Sequence, residues 1–382
     1  KVRINDVVQV GNVEIHQKGS DWFRHAHEKD SAYNNVILSV VGEADMEVYD
    51  SRGREIDAIT LVYDNRLWDE YVFMQGVPVE PRCYRNLRRI DSLRMDMLLA
   101  GYGIERLERK CGDIKMMLEE TMYDWEACFY RMLVRYWSGN VNADAFAQLA
   151  QNLSYKKVIR CSDSLFRVEA LLLGYSGLLS DLEEEDDYTI ALREEYEFQA
   201  AKFHLTAMQR SQWKYMRIRP TSFPTVRLAL LAALMMRFNF ILSTVLETER
   251  LEDIYKLLDV QASKYWSTHY KPGVLATQQV KRLGNSMKTV IVINAIVPFL
   301  FVYGKERKEE RYCDKAVQWL EELEAERNHV TETWTKQGVK LKSALQSQAL
   351  LQIKREYCDA HQCLHCRVGS EVFRSVAKES DV

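Results

Sequence analysis

Near the start of the chain, the stretch "VGNVEIHQKGSDWFRHAH" (residues 10–27) sets Glu14, His16 and Lys18 at two-residue spacing and follows them with His25 and His27. In an extended backbone successive side chains point to opposite faces, so Glu14, His16 and Lys18 share one face while Val13 and Ile15 take the other. A carboxylate, an imidazole and an ammonium on one face suit metal-assisted phosphodiester chemistry. The carboxylate would hold Mg²⁺ or Mn²⁺, and the imidazole or ammonium would activate water or balance developing charge. His25, His27 and Asp30 follow closely enough to ligate the same ion or to orient its ligands. Two residues apart on a helix, however, His25 and His27 diverge by about 200° and need a loop to face one ion. Alternating Glu and Lys also clothe an ordinary solvated sheet face.

A second set of chemistry-bearing residues lies near the C-terminus, where "YCDAHQCLHC" places Cys358, Cys363 and Cys366 around His361 and His365. Thiolates this close suit Zn²⁺ or an iron–sulfur cluster, and Cys363 with Cys366 has the two-residue spacing of a metal knuckle. The expected fourth ligand is Cys83, in "VEPRCYR", or else His361. One upstream cysteine with three near the C-terminus resembles the iron–sulfur nucleases, although the spacing differs. Three reduced thiols at a helix end are the alternative. A third set, "WKYMRIRPTSFPTVRLA", carries Arg217, Arg219 and Arg227 among Trp213, Tyr215 and Phe223. Guanidinium groups beside aromatic faces can grip phosphates and stack bases, so this strip is the expected contact for a nucleic-acid partner. Ion pairing with the nearby "REEYE" and "LEEEDD" is the competing use of these arginines.

The elements that must position these residues differ along the chain. Residues 1 to about 75 alternate as strands, with "KVRI", "VQVGNVEI", "NVILSVVG", "DMEVYD" and "REIDAITLVY" separated by turn residues. One helix, "SDWFRHAHEKDSAYN", interrupts them, with Ser20 or Asp21 as its N-cap. From about residue 84 the apolar period becomes helical, as in "LERKCGDIKMMLEETMYDWEACFYRMLVRYW". The fold class expected is α+β, a small N-terminal mixed β-sheet with a suspected nuclease-like core followed by a large, mainly α-helical region. The divisions expected are a sheet domain over 1–80, a helical domain over 81–350 and a Cys-rich segment over 351–382 packed on the rest.

With 52 basic and 55 acidic residues the formal charge is −3, so no global field draws the chain to nucleic acid or anionic lipid, and any polyanion contact must be local. The apolar runs at 228–246 and 290–303 are interrupted by Arg237 and Asn239, and by Asn294 and Pro298, which places both runs in protein cores and not in a membrane. Scattered single cysteines read as reduced thiols, hence a cytoplasmic protein. The first residue is Lys, which implies an upstream segment. "LGNSMKT" lacks the glycine and lysine order of a phosphate loop, and neither HExxH nor a nucleophile elbow is present, which argues against ATP hydrolysis and zinc proteolysis.

The parity of "EIH" resembles the Glu-x-Lys strand of the PD-(D/E)xK nucleases, with His16 standing where the lysine would be and Lys18 one step further on the same face. That likeness would also need an acidic residue from a preceding strand, and Asp6 falls in a turn. Along nearly its whole length the chain further resembles a bacterial family described as a domain of unknown function, number 2851. The residues carrying that resemblance are "GNVEIHQKGSDWFRHAHEKDSAYNNVIL", "YDWEACFYRMLVRYWSGNVNADAF", "RIRPTSFPTVRLA", "YWSTHY", "INAIVPFLFVYG" and "EYCDAHQCLHCRVG". It implies a Gly-Pro-Asp segment shortly before the first strand, a source for the missing acidic ligand, and a histidine where this chain has Ser39. It implies no particular activity, and a non-catalytic scaffold with a structural metal site is the alternative to a nuclease-like enzyme.

Overall fold

A computed structural model of the chain describes residues 1–4, 7–78, 80–237 and 240–377. Asp6 and Asn239 lie outside them. The chain divides into two compact units, one of Lys1–Ile90 with His361–Val382 and one of Asp91–Ala360. Residues 81–90, expected on the helical side, stay with the first unit because they fold back on the helix before them. There the Asn86 amide donates to Glu70 Oε2 at 2.8 Å and the Arg82 guanidinium to the Val77 carbonyl at 2.8 Å. The expected C-terminal segment is divided at residue 361.

In the first unit β1 (Val2–Ile4) and β2 (Val7–Gln9) pair antiparallel. β3 (Asn12–Lys18) runs parallel to β4 (Val36–Glu43). β5 (Val48–Tyr49) and β6 (Glu55–Ile56) form a short antiparallel ladder, and β7 (Ala58–Thr60) adds to β4 in parallel. Parallel neighbours need a crossover between them. Residues 19–35 supply it through the one-turn helix α1 (Asp21–Arg24) and two 3-10 turns, His27–Lys29 and Ser31–Asn35.

The register puts Glu14 beside Ser39, His16 beside Val41 and Lys18 beside Glu43, with a one-residue irregularity at Asn12/Val13. Gly11 precedes it at a point of close approach, where a Cβ would lie 2.3 Å from the Asn35 carbonyl. The crossover covers the polar face through a small core of Trp22, Val36, Val48 and Ile56, with Phe23 and Tyr33 against it. The buried Trp22 indole donates to the Tyr49 carbonyl at 3.0 Å. The opposite face is the open one, with Ile15 71% and Ile59 52% exposed. The crossover thus half-buries Glu14 and His16 on the polar side of the strand and leaves Lys18, at its end, exposed.

A 12-residue helix, α2 (Asn65–Gly76), follows the sheet, capped by Asp64, whose carboxylate accepts from the Arg66 amide. The second unit is helical and opens with α3 (Ser92–Glu120), capped by Asp91. The apolar period expected to run on through residue 137 is broken after α3, because Met122 and Tyr123 adopt left-handed backbone and Asp124 caps a new helix over Trp125–Arg135. The core is built of residues such as Trp137, Phe146, Leu172, Leu230, Trp266 and Trp319.

The run 290–303 lies in one helical stretch, Asn285–Arg307, which is long and apolar enough to cross a membrane but is 78% buried inside the protein. Being apolar on all sides, it is an interior helix. A π turn at Val292–Ile296 interrupts the α pattern just before Pro298, which has no backbone hydrogen to donate to the preceding turn. The other run is bent by 71° between Pro224–Arg237 and Ile241–Glu247.

Candidate metal centre

Strand parity carries the imidazole of His16 to the covered face, and the crossover brings two more to meet it. Donor atoms of His16, His25 and His27 all lie within 4.8 Å of one another. The ring centroids are 5.3 Å apart for His16 with either partner and 5.4 Å for His25 with His27. A continuous helix would have forbidden this. α1 ends at Arg24, and Ala26 takes left-handed backbone (φ 60°, ψ 30°) before the 3-10 turn that begins at His27. The reversal turns two residues that helical geometry would splay onto one side.

The three rings are held differently. His27 is buried, stacked on Tyr33 at 3.8 Å and set edge-on to Trp22 at 5.2 Å. His25 is exposed, and His16 is half-buried. The Nδ1 atom of His16 is buried without a hydrogen-bond partner among the described residues, a costly state for a polar nitrogen that a bound cation would relieve. Burial lowers the His16 pKa, opposed by Glu14 and reinforced by the charges His27 and His25 would carry. Deprotonated imidazole is the form that ligates metal. Beside Glu14 in the ladder, Ser39 is almost fully buried and its hydroxyl has no partner among the described residues.

Other expected residues are placed elsewhere. Lys18 pairs with Glu43 at 2.8 Å, beyond His16 at the end of the strand. Asp30 caps the second 3-10 turn by accepting from the Ala32 amide at 2.8 Å. Ser20 occupies the cap of α1 without a side-chain capping bond, while the Asp21 carboxylate accepts from the Lys18 amide at 3.1 Å and pairs with Arg24 at 2.9 Å. Tyr33 and Ala26 were not singled out from sequence. The aromatic six residues after His27 is a readable signal only once the crossover is known to fold back.

Of the four cysteines expected to ligate a metal, Cys83, Cys363 and Cys366 belong to the first unit and Cys358 to the second. All four are buried. The Cys363–Cys366 turn is tight: the Cys366 amide donates to the Gln362 carbonyl at 3.0 Å, and a Cβ on Gly369 would strike the Cys363 carbonyl at 2.2 Å. Burial pushes the Cys363 thiol up, with Cys366 adding to the rise and Arg82 opposing it. Arg82 also meets His361, nitrogen to nitrogen, at 2.7 Å. In the second unit, the arginine strip divides: Arg217 and Arg219 are exposed, whereas Arg227 is buried in the first turn of the helix Pro224–Arg237.

No curated protein and no solved structure matches the chain. A family model described as a protein of unknown function, DUF2851, matches residues 1–329, a span that includes the histidine cluster and the arginine strip, and the chain belongs to that family.

Proposed function

We propose that the chain is a metal-dependent hydrolase acting on phosphodiesters, with a divalent transition ion held by His16, His25 and His27. The observation that carries this reading is the convergence of three imidazoles around a buried, unpartnered Nδ1 on His16. Three nitrogen donors suit Zn²⁺ or Mn²⁺ better than Mg²⁺, which takes oxygen ligands. Three protein ligands also leave coordination positions open, as hydrolytic metal sites require. When bound, such an ion would supply a water acidic enough to deprotonate near neutral pH. In this reading Glu14, two residues before His16 on the same face of β3, would accept that proton. Lys18, engaged with Glu43, has a supporting role at most in this scheme. A nucleic-acid substrate is the reading suggested by the Glu-x-His parity and by the exposed Arg217 and Arg219.

The test is metal analysis of the purified chain together with cleavage of single- and double-stranded DNA and RNA in Zn²⁺ or Mn²⁺. Expected are bound metal and cleavage in the parent, loss of both in His16→Ala and His27→Ala, and loss of cleavage with metal retained in Glu14→Gln. Equal cleavage by folded His16→Ala, or no cleavage in any ion, rejects the enzyme. In that event the second reading is favoured, a scaffold whose cysteines hold a structural Zn²⁺ or iron–sulfur cluster. It is supported by the tight Cys363–Cys366 turn.

A further inference from the structure

Arg227 is only 8% exposed, yet among the described residues it pairs with no carboxylate. Its one side-chain hydrogen bond among the described residues runs from Nη2 to the Ser222 hydroxyl at 3.2 Å, and its Nε is buried with no partner. The other buried cations of this unit are provided for. Lys288 pairs with Asp259 at 2.8 Å, Lys315 donates to the Thr248 carbonyl at 2.9 Å and reaches Glu249, and Lys281 donates to the Gln279 carbonyl at 3.0 Å. Among the described residues Lys110 has only Asn294 at 3.3 Å, but burial brings its pKa down to about 7, so it can shed its charge. An arginine cannot: even with burial lowering Arg227 to about 10, it stays cationic at neutral pH. A charge left so far from water calls for an anion.

The contact with Ser222 shows where the guanidinium lies. It reaches back from the first turn to the residue two places before the helix Pro224–Arg237 begins, and so sits at that helix's N-terminal end. The amides of Thr225 and Val226 there donate to nothing among the described residues. Backbone amides at the positive end of a 14-residue helix are themselves suited to an anion. The surroundings are basic and aromatic. Arg217, held in left-handed backbone, and Arg219 are exposed on the preceding loop, Tyr215 packs edge-on against Phe223 at 4.9 Å, and Lys271 lies 5.6 Å from the Tyr215 ring.

We propose that Arg227, Ser222 and the first turn of the helix Pro224–Arg237 form a binding site for one phosphate group, carried by a nucleic-acid backbone or by a free nucleotide. The arginine supplies a planar fork that matches two phosphate oxygens, the serine a hydroxyl donor and the helix its terminal amides. The site lies in the second unit, and the proposal stands whether or not the histidine cluster holds a metal.

The full chain is titrated with inorganic phosphate, with a mononucleotide and with an eight-residue oligothymidylate, against chloride at matched ionic strength, while melting temperature and intrinsic fluorescence are followed. Saturable stabilisation is expected, weakened about tenfold or more in Arg227→Lys, where the fork is lost, and by a smaller factor in Ser222→Ala. Arg219→Ala, on the surface, should weaken the oligonucleotide and leave inorganic phosphate unchanged if the natural source is a strand. If the source is a free nucleotide, the mononucleotide will bind at least as tightly as the oligonucleotide. The proposal is overturned if none of the three probes saturates. It is equally overturned if Arg227→Lys and Ser222→Ala, with unchanged circular dichroism, bind as the parent does.

Discussion

The left-handed residue between His25 and His27 offers the sharpest test of the candidate metal centre. Ala26 sits at φ 60° and ψ 30°, a conformation that costs an alanine about 1–2 kcal/mol. Ala26→Gly removes that cost but adds roughly 0.5–1 kcal/mol of backbone entropy, so stability should change by about 1 kcal/mol or less while the three rings stay together. Ala26→Pro fixes φ near −65°, a swing of about 125°. It also removes the amide that donates to the Phe23 carbonyl at 3.0 Å, costing about 1 kcal/mol more. With the reversal gone, His25 and His27 cannot face one ion. At a free Zn²⁺ or Mn²⁺ concentration of about one hundred times Kd, a single site stabilises its folded form by about 2.7 kcal/mol. Calorimetric melting with and without metal should show that increment in the parent and in Ala26→Gly and none in a folded Ala26→Pro. An undiminished increment in the proline variant would refute the argument that backbone reversal builds the site, as would its loss in the glycine variant.

Two further outcomes follow from packing in each unit. The pKa of Lys110 falls from 10.5 to about 7 on burial; with about 1.4 kcal/mol per unit, the ceiling on the destabilisation is about 5 kcal/mol. Below pH 7 the amine is protonated folded and unfolded, whereas between 7 and 10.5 only the unfolded chain holds the proton, so this residue makes stability rise with pH across that window. Lys110→Met should raise stability at pH 7 by about 1–3 kcal/mol, less than the ceiling because Asn294 loses its donor, and should flatten that rise in denaturant titrations from pH 7 to 10; an unchanged slope would contradict it. In the first unit, Gly369→Ala sets a Cβ 2.2 Å from the Cys363 carbonyl and should cost about 1–3 kcal/mol by forcing the Cys363–Cys366 turn apart. Thiol-reactive labelling of Cys363 and Cys366 should accelerate in that variant, and equal labelling rates would count against the close fit.

Much of the architecture follows from periodicity: alternating residues as far as Thr60 form short strands and the later apolar period forms helices, but the expected strand region stops there, because Asp64 caps a helix over Asn65–Gly76. The shared face of Glu14 and His16 also follows from parity alone, since register converts spacing into direction. The meeting of His25 with His27 was not legible, because alanine is a poor marker of left-handed backbone and nothing local announced a reversal at residue 26. Nor did the sequence separate Arg227 from Arg217 and Arg219. All three stand in one basic, aromatic stretch, and only tertiary packing buries one and leaves the others in water. The C-terminal residues from His361 on group with a unit more than two hundred residues away in sequence, a long-range association that no window of spacing reports.

The irregularity at Asn12/Val13 and the tight seat of Gly11 make the first unit sensitive to arithmetic as much as to chemistry. Many substitutions at Val13 or Ile15, on the open side, should pass unnoticed. A single codon gained or lost between Gly11 and His16 would instead flip the whole strand over, presenting the imidazole to solvent and driving Ile15 under the crossover. In this part of the molecule, a reading frame of side chains is conserved or lost by counting, and homologues that keep the chemistry are expected to keep the interval.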